Sequence, residues 1–138
     1  MMSKHCRFTF AGALLSGAVL LATSAYAYDL TGVWASDADR CDKIFKKSGK
    51  KILFTQMADL YGSGFIVDSD SLRGKAARCS VKSRRETPEA LHILASCSSD
   101  IMLSNVQFSM KFIDNNSLTR FFPDIPGMEL TYYRCTSM

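Results

Sequence analysis

Beyond residue 27, the reactive side chains to weigh first are Cys41, Cys79, Cys97, Cys135 and the single histidine His92. A thiolate can be a nucleophile or a metal ligand and an imidazole a base or a ligand, so spacing decides between them. The cysteines are too dispersed for a Cys-x-x-Cys pair, and there is no His-x-x-x-His. No Gly-x-Ser-x-Gly elbow surrounds a serine, so His92 lacks the setting of a nucleophile–base pair. Asp68-Ser69-Asp70 opens like a calcium loop but lacks the glycine and terminal glutamate that must follow, and reads as a solvated turn. Tyr61-Gly62-Ser63-Gly64 lacks the lysine and following helix of a phosphate loop. No carboxylate pair stands out for glycoside chemistry. The chain is therefore expected to have no catalytic, cofactor-binding or metal-ligating residue. His92 is expected on the exposed face of a strand, and the cysteines in disulfides.

That expectation depends on the compartment. Lys4 and Arg7 precede an apolar run from Phe8 to Ala22, and Ala25-Tyr26-Ala27 supplies a small-x-small cleavage signature. Residues 1–27 thus read as a secretory signal peptide cut before Tyr28, with no cysteine at the cut to receive a lipid. The product is expected in the periplasm or secreted. Residues 28–138 are long enough for one domain, and losing Lys4 and Arg7 lowers the net charge from +4 to +2. So small a charge excludes nucleic acid as the expected partner. Four cysteines in an exported chain imply two disulfides, which offset the small core of a domain this size.

The elements that must position these residues are mostly strands. Ser36 is placed to cap a short helix over 37–47, with Asp37 and Asp39 in its first turn, Lys43, Lys46 and Lys47 towards its end, and Gly49 beyond. Elsewhere the period is two. Strands are expected around Trp34 and over 51–57, 64–68, 72–85, 90–98, 105–112, 118–122 and 128–135. The clearest alternation sets Val106, Phe108, Met110 and Phe112 against Asn105, Gln107, Ser109 and Lys111. A hairpin folded symmetrically about Pro88 puts Cys79 opposite Cys97 on one face, favouring that pair among three connectivities and leaving Cys41 to Cys135. The fold expected is mainly β: a small antiparallel up-and-down barrel, or a curved meander, of about eight strands with one short helix after the first. An open sheet packed on the helix is the rival.

Two surfaces suggest contact. Arg78, Lys82 and Arg84 form a basic stripe on the long strand, read as a solvated face or a weak contact with an anionic envelope surface. Phe121 and Phe122, before Pro123 and Pro126-Gly127, are the expected place for exposed apolar surface.

Gly32, Trp34 and Arg134 sit as a Gly-x-Trp on the first strand and an arginine on the last, with about eight strands between. In this the chain resembles the lipocalin/calycin superfamily, as a small exported bacterial β-barrel protein. The resemblance implies that Arg134 packs across Trp34 and closes the barrel base. It also extends to small exported metalloprotease inhibitors, which present an N-terminal segment to the protease. The expected function is a non-enzymatic binding or inhibitory module, monomeric, acting on an unknown protein partner through loops or the N-terminal segment. The alternatives are a carrier of a small apolar ligand in the barrel and, disfavoured by the single histidine, a hydrolase.

Overall fold

The computed structural model describes residues 28–138; the expected signal segment, residues 1–27, lies outside the described residues. The elements are β1 (Gly32–Ala35), α1 (Cys41–Ile44), β2 (Phe45–Ser48), β3 (Lys51–Phe54), β4 (Gly64–Asp68), β5 (Ser71–Arg73), β6 (Arg78–Glu86), β7 (Leu91–Ser98), β8 (Leu103–Asp114), β9 (Ser117–Phe121) and β10 (Glu129–Arg134). Eight of these strands close an antiparallel barrel in the order β1-β10-β9-β8-β7-β6-β5-β4. Closure comes from β1, which pairs with β4 on one side and β10 on the other and leaves the barrel no free edge.

Two apolar clusters flank the barrel wall. Inside, Trp34, Leu91, Met110 and Leu118 are fully buried, as the alternation along β7 and β8 requires. Outside, Val33, Ala35 and Ile66 from the opposite face of β1 and β4 pack on Cys41, Ile44, Phe45 and Ala58. Each cluster holds a disulfide, Cys79–Cys97 within and Cys41–Cys135 without, in the expected connectivity.

The expected helix is cut short. After a 3-10 turn at Ala38–Arg40, α1 ends at Ile44, and Phe45 turns to extended backbone. Phe45 is buried against Phe54, with ring centroids 4.9 Å apart, so side-chain burial overrides the helical pattern. Lys46 and Lys47 lie in β2, which pairs with β3 as a separate two-stranded sheet. Gly64 lets this layer approach: a Cβ there would lie 2.6 Å from the Phe45 ring and 2.5 Å from the Trp34 carbonyl oxygen. The cap also moves. Asp37 accepts from the Asp39 amide, while the Ser36 hydroxyl accepts from the Ser63 amide.

Eight strands form the barrel, with two changes of membership. The 51–57 segment leaves it as β3, and the expected strand over 72–85 is split into β5 and β6 by the turn at Gly74–Ala77. Along β6 and β7, symmetry about Pro88 holds from Arg78 to Val81, with Cys79 opposite Cys97. A bulge at Lys82 then shifts the register, so that Arg84 stands opposite Ile93 and Arg85 opposite His92. Arg84 therefore leaves the basic stripe. It shares the inward face of Ile93, donating to the Glu86 carboxylate at 2.8 Å and to the Tyr28 carbonyl.

Candidate binding site at the open barrel end

The registers put Asp29–Thr31 and the turns at Ser69–Asp70, Thr87–Ala90 and Asn115–Asn116 at one end of the barrel. The connections over 74–77, 99–102 and 122–128 gather at the other.

The first end is plugged by side chains, which also line a depression of about 460 Å³ bounded by Tyr28, Phe112, Asp114 and Arg134. Trp34 is fully buried, and its indole N–H donates to the Leu30 carbonyl at 2.9 Å. The Arg134 guanidinium lies 4.3 Å from the Trp34 ring and donates to the carbonyls of Asn115 (3.0 Å), Asp29 (2.9 Å) and Thr31. Gly32 makes room for it. Its φ is +130°, and a Cβ there would stand 2.9 Å from Nη1 of Arg134. Tyr28 stacks on Phe112 at 4.9 Å, its hydroxyl donating to the Pro88 carbonyl at 2.9 Å. Asp29 and Asp114 accept from the amides of Thr31 and Asn116, and these bonds hold both carboxyls below the usual range.

The opposite end is open. Arg120 follows Leu118 by two residues on β9 and shares its inward face, opposite Met110 of β8 and Leu130 of β10. Its guanidinium lies between two rings, 4.6 Å from Phe108 and 4.7 Å from Phe122. Its Nε is buried without a hydrogen-bond partner, and it takes part in none of the ion pairs among the described residues. Burial pushes the guanidinium below its usual range, with Tyr132 acting in the other direction. Arg120 borders a hollow of about 180 Å³ walled by Phe65, Leu72, Phe108, Met110, Tyr132 and the Cys79 half of the disulfide. Arg73 is the second cation on this hollow, donating to the Ile52 carbonyl at 3.3 Å, and no carboxylate lines it. A neighbouring depression of about 310 Å³ runs past Val106 to Ile101 and Met102. The rim carries exposed apolar side chains, with Ile101, Met102 and Leu103 92%, 60% and 76% exposed and Ile125, Met128 and Leu130 exposed across the mouth, beside exposed Lys75, Asp100 and Asp124.

The sequence-predicted contact residues do not form one surface. Arg78 is exposed at the open end, Lys82 is exposed at the bulge, and Arg84, exposed too, lies on the opposite face near the plugged end. Phe121 and Phe122 part to opposite sides of the wall, both partly buried. Phe122 covers Arg120, while Phe121 lies outside against His92 and Lys111. Neither is the free apolar patch expected, because a strand turns successive side chains to opposite faces. His92 does meet a serine, with Nδ1 2.9 Å from the Ser109 hydroxyl, which also accepts from the Gln107 amide at 3.3 Å. Ser109 is 1% exposed and none of these contacts is a carboxylate, so this pair lacks the access and the orienting acid of a nucleophilic site.

Sequence reasoning missed Arg120. The usable signal was its place in Leu118-Thr119-Arg120-Phe121-Phe122, a cation in phase with inward apolar neighbours. Comparison with family models, curated proteins and solved structures returns no match.

Proposed function

We propose that the protein is a non-enzymatic binding module of an oxidising, exported compartment, lipocalin-like in design, which holds its partner at the open end of the barrel. The single observation carrying this reading is the contrast in how the two ends are finished. One end satisfies its arginine with main-chain carbonyls, whereas the other leaves Arg120 unpaired beside an apolar hollow and an exposed apolar rim. A buried donor without a partner is costly, and a concave apolar site with a few convergent polar groups is what a ligand recognises. The two disulfides support the exported setting, since such bonds persist outside reducing compartments.

Action through open-end loops also fits the start of the domain better than action through an N-terminal segment. Tyr28 is engaged by Phe112, the Pro88 carbonyl and Arg84 at the plugged end. The test is amide NMR of residues 28–138 titrated separately with the protein and small-molecule fractions of an envelope extract. Shifts confined to Arg120, Met110, Tyr132 and the 99–103 loop are expected. Shifts centred on Asn115, Asn116 and Asp29, or no shifts from either fraction, would overturn the reading.

A further inference from the structure

We propose that the groove between the β2–β3 hairpin and the outer wall of the barrel holds an extended, acidic segment of a partner protein. This goes beyond the open-end reading: the groove shares Arg73, Gly74 and Ala77 with the hollow but lies outside the barrel.

β2 and β3 form a two-stranded sheet of their own, and the stretch from Lys43 to Ala58 carries five lysines and no acid. Lys46 stands opposite Leu53 across this hairpin, and both border a groove of about 600 Å³. Its other wall is the Arg73–Arg78 turn between β5 and β6, with Ser98–Asp100 beside it. Two contacts tie the walls together. Arg73 donates to the Ile52 carbonyl at 3.3 Å, and Lys75 donates to the Gln56 carbonyl at 2.9 Å while pairing with Asp59. The groove is thus formed before anything enters it, which spares a partner the cost of ordering it.

Charge names the occupant. Four cations line the groove, Lys46 on the hairpin and Arg73, Lys75 and Arg78 on the barrel, against one acid, Asp100. Counting Asp59 as well, four cations less two acids leave +2, which is the whole net charge of residues 28–138. Lys46 and Arg78 are exposed, stand on opposite walls and belong to no ion pair among the described residues. Like charges on two sides of a recess raise the potential inside it and draw in an anion. Arg78 therefore works with the hairpin, without Lys82 or Arg84.

The lining also includes Leu53, Phe54 and Ala77. That mixture suits a chain of alternating character, with carboxylates for the cations and apolar side chains for the rest. An extended peptide presents both, because successive side chains point to opposite sides. Inorganic phosphate has no apolar part to set against Leu53 and Phe54, and a flat bilayer meets protruding residues rather than a recess.

The experiment titrates residues 28–138, disulfides intact, into a capped, dye-labelled hexapeptide of alternating glutamate and leucine, read by fluorescence anisotropy, with amide NMR to locate the contact. Saturable binding at one site is expected, with shifts at Lys46, Leu53, Ala76 and Arg78 and an affinity that falls as salt rises. Lys46→Gln/Arg78→Gln is expected to weaken binding about tenfold. Lys82→Gln/Lys111→Gln, which removes the same charge from exposed positions elsewhere, should leave it within about twofold of the parent. Equal losses in the two variants would reduce the effect to net charge and overturn the groove. So would equal binding of the same peptide with glutamine for glutamate, no saturable binding, or displacement by inorganic phosphate at the peptide's concentration. Sedimentation with phosphatidylglycerol vesicles that depends on Lys46 and Arg78 and excludes the peptide would overturn it in favour of a membrane. If Lys46→Gln/Arg78→Gln does not fold, the glutamate–glutamine comparison on the parent protein decides by itself. Peptide shifts confined to Arg120, Met110 and Tyr132 would remove this groove and leave the open-end reading in place.

Discussion

Each end of the barrel stacks an arginine on aromatic rings, and the two guanidiniums are treated differently. Arg134 covers Trp34 and donates to three main-chain carbonyls. Arg120, held between Phe108 and Phe122, keeps a buried Nε without a partner. A guanidinium whose donors are met inside the protein ties segments together. One whose donors are unmet costs stability and is available to something else. The loops follow the same division. Polar Asp29, Asp114, Asn115 and Asn116 surround the plugged end, whereas exposed Ile101, Met102, Leu103, Ile125 and Met128 surround the open one.

The contrast can be broken most severely through the disulfides. Replacing Cys41 and Cys135 by serine opens a link across 94 residues and should cost about 4–5 kcal/mol in urea unfolding, by the loop-length dependence of the chain-entropy model. Removing Cys79–Cys97, whose separation is 18, should cost about 3 kcal/mol. A larger loss from the shorter link would reverse the ranking of the two staples. Trp34→Ala comes next. The ring is fully buried, so a loss of roughly 3–5 kcal/mol is expected, and a negligible change in melting would show the plug to be peripheral.

The smallest effect is one of pH, confined to the plugged end. The folded-state pKa values of Asp29 and Asp114 lie below their unfolded values because amide donors stabilise the carboxylates. Their contribution is present above the unfolded value of about 3.9 and is lost as pH falls through the lower folded value. Asp29→Asn and Asp114→Asn should therefore be slightly less stable than the parent near neutrality and converge with it in acid. A gap that widens as the pH falls would contradict this.

The barrel was legible where its strands keep a period of two. Gly64–Asp68 and the Val106–Phe112 alternation fall inside β4 and β8, and parity about Pro88 placed Cys79 opposite Cys97. Parity failed at Lys82 because one extra residue in β6 reverses the faces beyond it, and that moved Arg84. The helix was overextended because its charges fit a helix, while burial of Phe45 beside Gly64 stopped it. The candidate site was hardest to see. Arg120 could be placed inward from Leu118 and Phe122, but whether it meets a carboxylate depends on side chains from five other strands. The exposed run Ile101-Met102-Leu103 resembles any apolar strand end until the hairpin places it on the rim.

The most direct test compares the two arginines by urea unfolding of Arg134→Leu and Arg120→Leu. Loss of main-chain hydrogen bonds from a charged donor should cost Arg134→Leu roughly 2–3 kcal/mol. Arg120→Leu removes a partly buried guanidinium whose buried Nε has no partner, and should stay within about 1 kcal/mol of the parent or exceed it. If Arg120→Leu loses as much as Arg134→Leu, both arginines are framework, and the open end is a second plug rather than a binding site.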